Sequence, residues 1–279
     1  RINFRVGHYL VVFLSLAVLM ALVLGVVYYQ ESVVNPMDVP GVTSPLKDAF
    51  VKVYALLLLA SAARAPLTFR AGDVLVLAQK IVSKAEGRYA QLKSVTPSPR
   101  AQALGVACHK DARLVELILG ESREVLRVKP GVIVVEHRLG FVMANAGIDQ
   151  SNVPGSEDMV LLLPEDPDAS PRALREALRV ATGTAIGVLI IDSFGRAWRH
   201  GVTGTAIGVA GLPALVDMRG KQMDRQGRVL RVTQVAAADE LAAAASLLMG
   251  QADEGTPAVL ARGMPYALRE GSVRELIRP

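Results

Sequence analysis

One cysteine, Cys108, stands in 279 residues, so no internal disulfide can form and a disulfide-stapled scaffold is excluded. A buried structural thiol is the reading for Cys108, because a free cysteine packs as a small hydrophobe. Cytosolic residence fits such sparing use of cysteine. Histidine is also scarce, with four in the chain. His137 has no second histidine or cysteine at ligand spacing, which argues against a His/Cys metal centre there. No block of like charge is present; the net charge of +5 is spread along the sequence. That excludes a nucleic-acid footprint and leaves an anionic small molecule as a compatible ligand. The phosphate-loop pattern G-x-x-x-x-G-K-S/T is missing, as are internal repeats and low-complexity linkers within residues 37–279. The length allows one large domain or two small ones with a proper core.

What is present begins with a long apolar run. Tyr9 to Tyr29 carries no charge, and about twenty such residues suffice to span a bilayer as a helix. Arg1 and Arg5 precede it and no small-x-small cleavage site comes after it, so the run reads as an uncleaved anchor. Residues 1–36 are accordingly set apart from residues 37–279. Met37 offers a start that would omit the run altogether. A capped helix is expected from Ser44, with Leu46, Phe50, Tyr54, Leu57 and Leu58 on one face.

Further along, strands and helices alternate, which favours an α/β or mixed α+β architecture. Ala71-Gly72-Asp73 forms a turn before the strand Val74–Leu77. Lys80 and Lys84 lie just past that strand, where lysines can hold phosphate oxygens or simply meet water. An amphipathic helix is expected over residues 111–128, capped by Asp111, with Leu114, Leu117, Ile118, Val125 and Leu126 inward. Strands are expected at Val132–Val135 and Val160–Leu163, then a helix from Pro171 ending at Gly183. Between those strands, the polar segment Ala144–Val153 offers Asp149, Ser151 and Asn152 to a hard cation, or is an Asx-rich turn. Residues 217–228 read as a hairpin-like loop, 229–235 as a strand, 236–249 as a helix and 258–261 as a last strand.

The stretch from Val188 to Gly211 concentrates the chemistry. Val188–Ile191 reads as a strand buried on both faces. Asp192 at its carboxyl end would project into the crevice where α/β proteins bind ligands. Ser193, Arg196 and Arg199 come next, a set suited to a divalent metal and a phosphate. Glycines at 201, 204, 208 and 211 would let backbone approach a ligand, as in a phosphate loop. The competing reading is a strand, a turn and a tightly packed Gly/Ala element.

Taken together, Gly72–Arg88, Lys110–Arg127, Ala144–Val153, Leu161–Ser170, Ile191–Leu212 and Ala238–Gly250 closely resemble the coenzyme F420-0:L-glutamate ligases. These are the γ-glutamyl ligases of deazaflavin coenzyme biosynthesis, and the resemblance spans roughly Gly72 to Gly263. It implies an intertwined, dimeric α/β fold unlike that of phosphate-loop proteins. It also implies a GTP-dependent ligase with two divalent ions, Mg²⁺ or Mn²⁺, that joins L-glutamate to coenzyme F420-0 and releases GDP and phosphate. By motif, Asp149 and Asp192 would bind metal, Ser193 the second metal, and Lys84, Asn152 and Gln79 the nucleotide. Met249, Gly250 and Gln251 would lie near the guanine nucleotide. Catalytic roles would then fall to Asp149, Asp192 and Lys84.

This sequence departs from the family at three of those places. Ser193 replaces a common threonine, Gln79 a serine of some members, and Gln251 an acidic residue of some members. Other readings are a glutamate ligase acting on a folate or pterin, and a non-catalytic, membrane-tethered nucleotide-binding homologue. The apolar run conflicts with the first function, because Arg1 and Arg5 would keep the N-terminus inside and place the ligase outside. The expectation is a cytoplasmic catalytic domain, with membrane contact through residues 9–29 left open.

Overall fold

In the computed structural model, residues 3–5, 68–153 and 158–278 are described. The apolar run, the helix expected from Ser44 and the boundary at residues 36 and 37 lie outside them. Among the described residues no helix is long and apolar enough to cross a membrane. The architecture is mixed α/β, as the alternation of patterns implies.

The main sheet has five strands: β1 (Asn3–Arg5), β2 (Val74–Ala78), β8 (Gly187–Arg196), β9 (Arg199–Ala210) and β12 (Ala258–Arg262). Their order across the sheet is β1-β12-β2-β8-β9. Only β2 and β8 run parallel, with Val74 opposite Gly187 and Ala78 opposite Ile191; the other pairs are antiparallel. Val74–Leu77 and Gly187–Ile191 are buried at every successive position. Consecutive burial requires cover on both faces of a strand, which explains the unbroken aliphatic runs. At the start of β2, Asp73 is 1% exposed and takes both Nε and a terminal nitrogen of Arg262 at 2.7 Å. A fully buried carboxylate is tolerated there because a planar guanidinium meets both its oxygens.

Helix α1 (Gln79–Ala85) comes directly after β2. Helix α4 (Ala169–Thr182) ends at Gly183 in the left-handed conformation, φ 68°, and α5 (Ala237–Met249) packs on β9 and β8. Two glycines of β9 set how closely the neighbours approach. A Cβ on Gly204 would strike the Ala242 carbonyl of α5, and one on Gly208 the Pro167 carbonyl before α4. Gly204 and Gly208 are therefore packing positions within a strand rather than parts of a phosphate loop, whereas Gly201 meets no neighbour and Gly211 lies past the strand with φ 70°. Arg196 and Arg199 close the β8–β9 hairpin on either side of Trp198, which is 99% exposed. They stand at the hairpin's end, four or more residues beyond Asp192, rather than beside the carboxylate.

A second layer has its own core. Helices α2 (Pro99–Cys108) and α3 (Ala112–Gly120) pack on a three-stranded sheet of β4 (Ser122–Lys129), β5 (Val132–His137) and β6 (Val142–Ala144). Cys108, Val115, Ile118, Ile133 and Val135 are fully buried within it, so the single thiol is structural. Asp111 caps α3 as expected, accepting from Arg113 N at 2.8 Å. The helix stops at Gly120, however, and residues 122–129 pair with β5 instead. The apolar residues Val125, Leu126 and Val128 satisfy helical spacing on paper, but Leu126 is 47% exposed on the strand. Short strands β3 (Tyr89–Gln91) and β7 (Met159–Leu161) form a separate pair, and β10 (Val216–Asp217) meets β11 (Gln234–Val235). The strand expected over 229–235 is thus reduced to its last two residues, with Val229 held by a lone bridge to Met223.

A partly buried ionic node joins the two layers. Glu121 accepts from Arg88 at 3.2 Å and from Arg138 at 3.0 Å, while His137 Nε2 stands 3.4 Å away. Burial pushes the Glu121 carboxyl upward, but the facing His137, Arg88 and Arg138 outweigh it and hold the group at about 2. His137, alone in the sequence and fully buried, serves this node.

Candidate functional site

Three segments converge at the carboxyl ends of the parallel strands β2 and β8, where open α/β sheets place their ligands. The first is α1. Its Lys80 and Lys84 are four apart, so both project from one face of the helix. Lys80 Nζ donates to Ser151 Oγ at 2.7 Å and lies 3.4 Å from Asp149 Oδ2. Lys84 Nζ donates to the Asn152 carbonyl at 2.6 Å.

The second segment is the turn after β6. Asn145, Ala146 and Gly147 have φ of 52°, 52° and 65°, a left-handed run that L-residues rarely adopt. It is held by the Asn145 side chain, whose Oδ1 accepts from Ile133 N at 3.2 Å. A Cβ on Gly147 would lie 2.5 Å from Met143 Cε and 3.0 Å from Leu163 Cγ, so this position needs glycine on both counts. Asp149 then docks by paired backbone hydrogen bonds to Leu161, at 2.9 and 2.8 Å. Its carboxylate is aimed from a fixed backbone, on the side where α1 presents its lysines.

The third segment is the part of β8 just beyond its pairing with β2, together with the loop after α5. Where the sequence suggests a strand end at Asp192, β8 instead continues against β9 alone. Asp192 comes after buried Ile191, and its Oδ1 accepts from Ser193 N at 2.8 Å. Ser193 Oγ donates to Gln251 Oε1 at 2.8 Å, and Gln251 Nε2 donates to Ser246 Oγ at 2.9 Å. Asn152 Nδ2 reaches the Ala252 carbonyl at 3.3 Å, which ties the second segment to the third.

The two carboxylates lie within one another's electrostatic reach, with Lys80 acting on both. Asp192 keeps some solvent contact, yet enough protein surrounds its carboxyl that burial, reinforced by the charge of Asp149, pushes it up to about 7. The Ser193 N–H and Lys80 oppose that rise only in part. Burial also raises Asp149, against the pull of Lys80, Ser151 and Lys84. Lys84 is lowered by burial and by Lys80 beside it, with Asp149 opposing. A carboxylate pair that cannot comfortably hold two negative charges is suited to receive a cation.

The oxygens available are those of Asp149, Asp192, Ser193 and the Gln251 amide, all hard donors. No group of three acidic, histidine or cysteine side chains fit to hold a metal occurs among the described residues. Two carboxylates and a hydroxyl match a Mg²⁺- or Mn²⁺-type site, which draws its other ligands from water and substrate phosphates. The residues present therefore fit such an ion.

Of the residues expected from the sequence, Asp149, Asp192, Ser193, Lys84, Asn152 and Gln251 come together. Gln79 is 1% exposed, with its amide nitrogen donating to Ser83 Oγ at 2.8 Å and its Oε1 without a partner. Met249 is 8% exposed at the end of α5, and Gly250 beyond it has φ 75°. Lys80, which the sequence offers only as a lysine past the strand able to hold phosphate or meet water, joins the site, and so does Ser246, which was not expected there. The i, i+4 spacing of Lys80 and Lys84 is the available signal for the first. Ser246 gives none, as one hydroxyl in an alanine-rich helix.

Comparison with known proteins gives a consistent picture. The family model described as F420-0:Gamma-glutamyl ligase matches residues 53–263. The chain is 51% identical over 210 residues to the coenzyme F420:L-glutamate ligase of Methanothermobacter thermautotrophicus, covering 75% of this chain and 82% of that one. It is 52% identical over 193 residues to the protein of that name from Methanopyrus kandleri, covering 69% and 75%. The Archaeoglobus fulgidus protein of the same name is 45% identical over 210 residues, covering 75% and 82%.

Proposed function

The chain belongs to the F420-0:gamma-glutamyl ligase family, and on that premise we propose that it joins L-glutamate to coenzyme F420-0 at the expense of GTP. The observation that carries this reading is the Asp149–Asp192 pair. Two carboxylates from separate segments share one field at the ends of parallel strands, with Lys80 and Lys84 beside them.

The chemistry calls for such a set. A carboxylate resists attack by an amine until one of its oxygens becomes a good leaving group. In the proposed sequence, a carboxylate oxygen of the acceptor bonds to the γ-phosphorus of GTP and GDP departs. The glutamate amine then attacks the resulting acyl phosphate at carbon, inorganic phosphate leaves, and the nitrogen gives up a proton as the amide forms. Phosphoryl transfer asks mainly for positioning and neutralisation of charge. Divalent ions held by Asp149, Asp192 and Ser193 would supply Lewis-acid neutralisation of the phosphates. In this reading Lys84 and Asn152 would orient the nucleotide, a role supported by their closeness to the acidic turn, and Gln251 would fix the Ser193 hydroxyl that is hydrogen-bonded to it. No nucleophilic side chain is required. The reading carries with it a homodimer and a catalytic domain in the cytoplasm, where GTP and the precursor are found.

Mass spectrometry of a reaction containing purified protein, GTP, Mn²⁺, L-glutamate and the deazaflavin precursor tests this. The expected product is the precursor plus glutamyl residues, with GDP and phosphate formed in step with each amide. Undiminished turnover after chelation, or a clear preference for ATP, would count against the reading. Glutamylation of a pterin but not of the deazaflavin would reassign the acceptor.

A further inference from the structure

The two lysines of α1 are not equivalent. Lys84 Nζ donates to a neutral partner, the Asn152 carbonyl. Lys80 Nζ lies 3.4 Å from Asp149 Oδ2, with 30% and 27% of the two side chains exposed, and its charge also reaches Asp192. Its hydrogen bond to Ser151 Oγ keeps the ammonium group over the acidic turn. An ammonium group 3.4 Å from Asp149 Oδ2 would repel a divalent ion held by the same carboxylate.

Two carboxylates face two ammonium groups, so the pocket without ligands has no large net charge. Divalent ions alone would make it strongly positive, and phosphates alone strongly negative. Together they roughly cancel, since a nucleoside triphosphate brings about as much negative charge as two divalent ions bring positive. Long, flexible lysine can move between an acidic turn and a phosphate oxygen at little cost, because its ammonium group donates in any direction.

We propose that Lys80 is the resident counter-cation of the Asp149–Asp192 pair and yields it to divalent ions when nucleotide phosphates arrive to take the ammonium group. Metal and nucleotide then load together, and free divalent ions do not fill the site in advance. Lys80 acts here as a positioning residue, through the carboxylates. The inference rests on the reading of this pocket as a metal and nucleotide site.

The test is a Mn²⁺ titration of the full chain without nucleotide, with free ion monitored by electron paramagnetic resonance. Two neutral variants are compared, Lys80→Met and Lys80→Gln; the second can still donate to Ser151, and circular dichroism establishes folding of each. Removal of a unit charge this close should tighten Mn²⁺ binding about tenfold or more, whereas Lys80→Arg should stay near wild type. By calorimetry, the tightening of Mn²⁺ binding caused by GDP should shrink in the neutral variants, since coupling between two ligands is reciprocal. Unchanged or weaker Mn²⁺ binding in a folded neutral variant overturns the inference, because a lysine that only shapes the turn would loosen the acidic pair when removed. Absence of Mn²⁺ binding in wild type and variants alike, with GDP present as well as without it, would instead sink the metal reading itself, so the two failures are distinguishable.

Discussion

Replacing Asp192 by Asn should make the protein more stable and nearly inactive. In the folded chain the carboxyl is pushed from 3.8 to about 7 by burial and by Asp149. Between those two values the folded state holds a proton that the unfolded state has released. Stability contributed by this group therefore falls as pH rises from about 4 through about 7, and above that the buried charge is a standing penalty. Each tenfold change in proton affinity is worth about 1.4 kcal/mol, which sets a ceiling of roughly 4 kcal/mol. Partial solvent contact of Asp192 screens the charge and brings the expected figure down to on the order of 2 kcal/mol. Asparagine keeps an oxygen for the Ser193 N–H, so that hydrogen bond, 2.8 Å in the wild type, is not lost. Urea unfolding in EDTA should then show the variant more stable by about that amount near pH 8, with the gain vanishing near pH 4. Turnover should fall on the order of 10²-fold or more, as when a key electrostatic contact is removed. A variant less stable than wild type near pH 8, or a difference that does not change with pH, would refute the assignment of strain to this carboxylate.

Asp149→Asn should lower kcat on a similar scale, and the Asp149→Asn, Asp192→Asn double variant should be little worse than the worse single one, because groups holding one cluster act as a unit; additive losses in steady-state kinetics would separate their roles. Glu121→Gln leaves Arg88, Arg138 and His137 facing no carboxylate, and denaturant unfolding should show a loss of about 1–3 kcal/mol, less than for a fully buried pair because the guanidinium groups keep some solvent contact. In the wild type the Glu121 contribution should be full above its ordinary value of 4.5 and lost as pH falls toward about 2. Gly208→Ala sets a methyl against the Pro167 carbonyl and should cost about 3 kcal/mol or more in a thermal melt; an unchanged melting temperature would show that the turn before α4 moves freely.

Parts of this arrangement are legible without coordinates because their causes are local. The aliphatic run before Asp192 announces a doubly covered strand, and a carboxylate at its end is placed by the strand itself. Asp111 gives the start of α3 because capping is decided within two residues. The end of that helix is not legible, since Val125, Leu126 and Val128 suit helical spacing as well as a half-exposed strand, and pairing with β5 decides the matter from outside the segment. Gly204 and Gly208 of β9 mislead for a similar reason. Their purpose is fixed by Ala242 and Pro167, which lie far away in sequence. Lys80 can be recognised as a lysine beyond a strand, and Asn145 with Gly147 suggests a turn, but the contact with Asp149 depends on how that left-handed turn docks on Leu161 and faces α1, which no local pattern announces.

The seam between β9 and α5 gives the pocket its gauge. Gln251 and Ala252 hang from the end of α5, and the height of that helix above the sheet is fixed by the hydrogen atom that Gly204 carries in place of a side chain. Ser246, whose Cβ is one of the atoms that a Cβ on Gly204 would meet, is also the residue that receives Gln251. A methyl group added on the strand would therefore be passed along as a lever. It would lift the helix, draw the amide oxygen away from the Ser193 hydroxyl, and widen the opening in which the phosphates must fit. Selection acting on nucleotide turnover would then reach a residue that touches no ligand, and variants regained after such a change should map to the facing side of α5.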